Sequence, residues 1–371
     1  MNNSTPRAIS YPLLKDFVYK VFHHYGFTQE HAKLSAEILC KADLRGIDSH
    51  GVARLTGYLR LIDAGRLNPN PKFNWITDRL SAGTLDADGS IGLVSAQVAM
   101  QKAIEKAKQT GVAFIGISNS NHFGIAGAHS ELATQHGMIG WAMTNASPLV
   151  APDGTVQRLF GTNPISVAVP NPLSDTGRPF LLDMATSAAA NGKLEIAGRE
   201  QLDIPQGWAK DKNGMSSQNP NVLKEGGALI PLGIDAEHGV HKGYGLGAMV
   251  DILTGVLTGA NFSTFVPPFV SFLNVAQNLP GKGIGHFMGA MDISAFIEPE
   301  HFYERMKLWS TQIKNAQPID KHTPLMIHGE PEFLCEATRI EQGIPLNPLV
   351  GKEMKDLAGK LAITTDIFNH F

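Results

Sequence analysis

An α/β fold is predicted for this chain of 371 residues. Three observations carry the prediction. Between residues 82 and 183, short apolar runs alternate with helical patterns, the rhythm of strands laid against helices. Both ends of the chain carry helical periodicity instead. The apolar fraction of 43% against 18% charged residues can fill a sizeable core, and 38 glycines with 22 prolines imply many loops.

The elements follow in order. Leu14, Phe17, Val18, Val21 and Phe22 recur at helical spacing, and Ala32, Ala36, Ile38 and Leu39 continue the pattern after a break at Gly26. A third helix is expected to carry His50, Arg54, Tyr58 and Leu61, closing at Gly65 and the Asn-Pro-Asn-Pro run at 68–71. Residues 84–89 read as a short strand and turn. Residues 92–110 read as a helix with Val94, Val98, Ala99, Ala103 and Ile104 on one face. Strands are expected at 112–118, 139–144, 165–169 and 179–183, and a helix at 125–136. The Gly-, Ala- and Leu-rich stretch 243–260 reads as a tightly packed buried helix. A strand at 283–289, a helix from about 299, and helical patterns at 332–342 and 350–361 complete the chain.

The net charge of −3 and the lack of a Lys/Arg-rich run argue against nucleic acid or an anionic membrane surface as a partner. Cys40 sits in an apolar helical pattern and reads as buried and reduced. With Cys335 the only other cysteine, neither a disulfide framework nor a CxxC site is present. The polar start of the chain lacks a signal-peptide core, and no apolar run is long enough to span a bilayer, so a cytoplasmic protein is expected. The 14 histidines are scattered without metal-ligand spacing, so no metal is expected.

Four segments carry chemistry. In Gly46-Ile47-Asp48-Ser49-His50-Gly51-Val52-Ala53-Arg54, an imidazole and a guanidinium stand four residues apart where a helix is expected to begin, with Asp48 or Ser49 as its cap. On a helix that spacing points both at one volume. The imidazole can move a proton to or from a substrate oxygen while the guanidinium grips a carboxylate, as chemistry on a 2-hydroxy or 2-oxo acid requires. The segment Asn119 to Gly127 joins a strand end to a helix and projects His122 where α/β proteins place ligands. In Gly161-Thr162-Asn163-Pro164, Thr162 offers a hydroxyl to a carboxylate or hydroxyl. His241-Lys242-Gly243-Tyr244-Gly245 opens a helix with a lysine, an anion site by charge and dipole. Its glycines run GxGxG with no strand leading in, so they are not a dinucleotide fingerprint. Spacing by itself therefore predicts no nicotinamide cofactor.

Taken together from about residue 10 to 350, these segments resemble the non-Rossmann family of malate and L-lactate dehydrogenases. That family also holds ureidoglycolate and L-sulfolactate dehydrogenases, diketogulonate reductase and cyclic imino acid reductases. Leu182-Asp183-Met184-Ala185-Thr186-Ser187, Gly192-Lys193 and Gly329-Glu330 add to the match. The resemblance implies a three-layer mixed sheet of the L-sulfolactate dehydrogenase type. It implies a helical part made of residues 1–75 packed with 305–371, around an α/β core of residues 76–304. It further implies a homodimer, a small carboxylate substrate, and NAD or NADP bound at a site unlike the usual dinucleotide fold.

By the same resemblance, His50 is the proton donor and acceptor, polarised by Ser49, and Arg54 and Thr162 hold the substrate. His122 is the second candidate for the base. The cofactor is expected along His122, Phe123, Gly124 and Ile125, along Phe180, Leu181, Leu182 and Asp183, at His241 and Lys242, and at Gly329, Glu330 and Pro331. The implied reaction is hydride transfer between a nicotinamide and a small 2-hydroxy or 2-oxo acid. The alternatives are cyclic imino acid reduction and ureidoglycolate oxidation at the same site. Val240, Gln201-Leu202 and His328 depart from the family's usual text on the cofactor side and leave NAD against NADP open. The apolar loop Phe262 to Leu273 is expected in the pocket wall, in a dimer contact, or in ordinary core.

Overall fold

The computed structural model describes residues 8–171, 178–320, 322–323 and 325–371. It is built around a seven-stranded mixed sheet. In chain order the elements begin with β1 (Ala8–Ile9), α1 (Tyr11–His24), α2 (Gln29–Leu44) and α3 (Leu55–Asp63). There follow β2 (Asn74–Asp78), β3 (Ala82–Asp86), α4 (Gly92–Thr110), β4 (Val112–Ser120), α5 (Gly127–Thr134), β5 (Met138–Thr144), β6 (Ile165–Val169) and β7 (Phe180–Met184). Next come α6 (Asn191–Glu200), β8 (Ala209–Lys210), β9 (Ser216–Ser217), β10 (Ala228–Leu229), α7 (Val240–Asp251) and β11 (Ile284–Asp292). The chain closes with α8 (Pro299–Lys314), α9 (Glu330–Gln342), β12 (Ile344–Pro345) and α10 (Pro348–Lys360).

The sheet order is β2-β3-β4-β11-β5-β6-β7. Only β3 and β4 run parallel; the other neighbours are antiparallel. The late strand β11 therefore sits at the centre, between two strands made far earlier. A buried polar chain fixes that insertion. His286 on β11 is bonded through Nδ1 to Thr144 Oγ1 at 2.7 Å and through Nε2 to Ser120 Oγ at 2.8 Å, and Ser120 meets Ser95 Oγ at 2.7 Å. Each side chain of this buried polar chain thus has a partner, as a dry interior demands.

The helical ends of the chain share one core. Leu14, Phe17, Phe22, Leu39 and Tyr58 are packed with Ile344, Val350, Met354 and Phe368. The amphipathic stripe of α1 explains this, since Leu14, Phe17, Val18, Val21 and Phe22 face inward, each worth roughly 1.5–3 kcal/mol when fully buried. The pairing of β1 with β12 joins the two ends directly. An ion cluster adds direction: Arg45 reaches Glu336 on α9 at 2.8 Å and Glu131 on α5 at 2.9 Å, and Arg178 also reaches Glu336 at 2.7 Å.

One expectation about elements is corrected and one small sheet was missed. The segment 243–260 is not a buried helix. α7 passes into a π-helical turn at Ile252–Val256, and Met249, Ile252, Val256 and Leu257 lie exposed along it. Its small residues suit close packing on one side only. The small antiparallel sheet of β8, β9 and β10, with strand order β10-β8-β9, has strands of two residues and left no periodic trace in the sequence. Among the described residues, no helix is long and apolar enough to cross a membrane.

Candidate active site

The turn that carries His50 is shaped from below. Asp43, buried at the end of α2, accepts a hydrogen bond from the Val52 N–H at 2.7 Å and so starts the next turn. A Cβ on Gly51 would lie 1.9 Å from the Asp43 carboxylate, so only glycine lets that carboxylate approach. The cap is therefore Asp43, not Asp48 or Ser49. Asp48 is instead bonded to Arg339 on α9 at 2.5 Å.

His50 lies before the helical turns, which begin as a 3-10 turn at Val52–Arg54 and continue as α3. The expectation of His50 and Arg54 on one helix face is thus corrected. They still converge, because the turn folds Arg54 back: its Nε donates to the Ser49 carbonyl at 2.6 Å. Both line a cavity of about 60 Å³, with His122, Thr162 and Phe269. A water needs about 10–15 Å³ of such volume, so that is room for a few heavy atoms.

Ser49 Oγ lies 2.9 Å from His50 Nδ1, which leaves Nε2 for a reacting group. Burial, then the Arg54 charge, holds the His50 imidazole down to about 4, against the opposing pull of Glu195. The imidazole is neutral at pH 7 because it is enclosed, not because a helix dipole acts on it.

His122 is stacked near His50, with ring centroids 5.8 Å apart, and lies against Phe269 at 4.6 Å. Its Nδ1 faces Tyr58 Oη at 2.7 Å and the Gly124 N–H at 3.3 Å. A backbone N–H can only donate, so Nδ1 is the acceptor and the proton of the neutral ring is on Nε2. His122 thus offers the cavity a donor, whereas His50 can offer a lone pair. Burial first, then the neighbouring charges of His50 and Arg54, depresses the His122 pKa. The segment before it is fixed by Asn119, whose side chain donates to Asp86 at 2.8 Å, and by Asn121, which donates to the Gly89 carbonyl at 2.9 Å.

On one side this cavity opens into a cleft of about 550 Å³, shared at His50, Thr162 and Ala190. Gly124, Ile125, Asp183, Lys193 and Glu332 lie along it. A further hollow of about 260 Å³ continues past Asp183 and Glu332 to Leu181, Gly329 and Pro331. The Asp183 side chain is exposed to the cleft, although protein packs closely around it. That enclosure pushes its carboxyl up to about 6, although the Gly127 N–H donates to it at 2.6 Å.

The structure gathers the expected cofactor residues only in part. Strand alternation turns Leu181 and Asp183 to the cleft and Phe180 and Leu182 away from it. Phe180 meets Trp309 and His328 instead. Phe123 is core, stacked on His286. Glu330 is occupied in holding its own turn, accepting from the Ile327 N–H at 2.8 Å and from Lys314 at 2.7 Å. His241 and Lys242 are exposed on the first turn of α7 and do not line the cleft, though that turn packs on Leu232, which does.

Sequence reasoning missed Glu195, which pairs with Arg54 at 2.6 Å. Burial pushes this carboxyl up, but the charge and hydrogen bond of Arg54 outweigh it and the net direction is down. The helical spacing of Asn191, Glu195 and Arg199 was visible, but nothing in it pointed across to Arg54. Among the described residues, no group of three His, Cys, Asp or Glu side chains could hold a metal.

The sequence pattern of the malate/L-lactate dehydrogenase family matches residues 9–355. The chain belongs to that family. It is 41% identical over 351 residues to a malate dehydrogenase of Pyrococcus horikoshii, covering 94% of each chain. The crystal structure of malate dehydrogenase from Entamoeba histolytica superposes with a TM-score of 0.89 at 31% identity, over 97% of this chain and 99% of that one. A delta1-piperideine-2-carboxylate reductase structure from Pseudomonas syringae gives 0.80 at 29%, over 95% and 100%. The mixed α/β architecture is therefore the family's own.

Proposed function

We propose that this protein is a nicotinamide-dependent oxidoreductase of small 2-hydroxy and 2-oxo acids. The observation that carries the reading is the convergence of His50 and Arg54 on one small cavity that opens into a long cleft. The cleft suits NAD or NADP. Lys193 and the first amides of α6 border it and would face phosphates, and the carboxylates of Asp183 and Glu332 would accept ribose hydroxyls. When bound, the nicotinamide supplies the hydride acceptor or donor.

The residues do the rest. Arg54 holds the substrate carboxylate and so sets which face of its C2 carbon is presented, an orientation effect. In oxidation, the C2 hydroxyl gives its proton to His50 Nε2 while Nδ1–H donates to Ser49 Oγ; in reduction the same nitrogen returns it. A neutral imidazole is ready for the first role at pH 7. His122 Nε2–H is left as a donor to the substrate or the nicotinamide, not as the base. Thr162 contributes a hydroxyl beside it. We further propose a homodimer through the exposed apolar side of α7 and its π-helical turn.

The test is loss of reduced-nicotinamide absorbance with NADH or NADPH and a panel of 2-oxo acids, a cyclic imine and a diketo sugar acid, with ureidoglycolate and the oxidised cofactors in parallel. Turnover of a 2-oxo acid is the expected result. Binding of neither cofactor overturns the reading.

A further inference from the structure

The catalytic cavity has a second neighbour. Through Arg54, Asn191, Phe269 and Val270 it adjoins a cavity of about 640 Å³ bounded by α3, α6, the loop at 268–272 and the start of α10. This vestibule and the long cleft have no lining residue in common. They differ in charge as well. In the vestibule Arg54, Arg60, Arg199 and Lys224 face two carboxylates, Glu195 and Glu353. In the cleft Lys193 faces Asp183 and Glu332, while the Asp48 carboxylate there is paired with Arg339. The lining of the first is thus the more favourable entrance for a small anion.

We propose that the acid substrate reaches His50 through this cationic vestibule, taking Arg54 over from Glu195, while the cleft is left to the nucleotide; this rests on the function proposed above. The contacts supply a hand-over. Arg54 Nε is anchored on the Ser49 carbonyl at 2.6 Å, so the guanidinium stays in place when its Nη2 partner changes. Glu195 holds that Nη2 at 2.6 Å and already lies 4.0 Å from Arg199, one helical turn on. Its other oxygen accepts from Asn191 at 2.7 Å. A short swing to Arg199 keeps the carboxylate paired and opens Arg54 to the incoming one. The loop opposite is held by Arg60 on the Phe269 carbonyl and by Arg66 on the Pro268 carbonyl, so the vestibule has a fixed wall.

The test blocks the vestibule chemically. Gly198 lines it, and a Cβ there would meet nothing closer than Pro220 at 3.8 Å, so Gly198→Cys fits. Labelling that cysteine with a bulky maleimide is expected to lower kcat/KM for the acid by at least about tenfold, with nicotinamide affinity within about twofold. Wild-type protein given the same reagent controls for Cys335. Undiminished kcat/KM in the labelled variant overturns the route and leaves the reaction class standing. Oxalate binding by calorimetry, without nucleotide, needs no turnover. If no acid is turned over by any form but the label abolishes oxalate binding, the route stands and the reaction class falls. Glu195→Gln is expected to bind oxalate about tenfold more tightly, since Arg54 loses a competing charged partner. Weaker oxalate binding would make Glu195 a strut for Arg54 and overturn the hand-over.

Discussion

Gly192→Ala tests whether the turn bearing His50 and the start of α6 are fitted to each other. The added Cβ would lie 2.5 Å from Ser49 Cβ, 2.7 Å from Arg54 Nη2 and 3.0 Å from the Ser49 carbonyl oxygen. Carbon atoms rest about 3.5–4.0 Å apart, so one side must retreat by about 1 Å. Either Ser49 and Arg54 shift, or α6 does. A shift of that size in groups that orient a substrate costs about a hundredfold in rate. Overpacking costs about 1–3 kcal/mol of stability, less about 0.5–1 kcal/mol regained by replacing glycine inside a helix. Steady-state kcat/KM and urea unfolding read both effects. Gly359→Ala is the control, since nothing lies within 4 Å of a Cβ there, and it should leave rate unchanged and stability equal or higher. Gly192→Ala activity within about threefold of wild type, with no loss of stability, would refute the fitted arrangement.

Other predictions follow from the same geometry. His50→Ala should lower kcat by about 10²–10⁴ with cofactor affinity kept; a comparable loss confined to His122→Ala would move the base there. His129 and His286 are buried neutral, with pKa values held to about 4 and about 3 chiefly by burial. Their contribution to stability is therefore complete above pH 6.5 and is lost as pH falls towards those values, by about 1.4 kcal/mol per pH unit each. Urea midpoints measured from pH 7.5 to pH 4.5 should fall accordingly, and a flat profile would contradict the buried neutral state. Asp183 and Glu332 should disfavour a 2′-phosphate, so NAD(H) should bind more tightly than NADP(H), and Asp183→Asn should narrow the gap in fluorescence titration; an unchanged ratio would place the adenosine elsewhere. Ile252→Asp should leave a folded monomer by light scattering, and an unchanged mass would show that the exposed side of α7 is not the dimer contact.

Much of the fold was legible because periodicity is a local signal. The helix at 92–110 and the strand at 165–169 have the same bounds in the structure as in the sequence. The place of β11 was not legible, since a strand's neighbours depend on partners made far earlier in the chain. The exposed side of α7 was misread because an apolar stretch looks alike whether it faces a core or an unfilled surface. At the site, His50 and Arg54 converge by another geometry than the one expected: a 3-10 turn and a backbone carbonyl bring them together, not helical spacing. Glu195 meets Arg54, and Tyr58 meets His122, through tertiary contacts at sequence separations that no motif records.

The joining of β1 to β12 has a consequence for how the protein is made. His50, Arg54 and Tyr58 emerge from the ribosome well before the residues beyond 340 that help cover the apolar faces beneath them. During synthesis the first three helices must wait with those faces open, while the sheet too lacks its central strand. Such exposed surface is where a nascent chain aggregates or recruits a chaperone. The corner bearing His50 and Arg54 is thus translated well before the residues that finish its core.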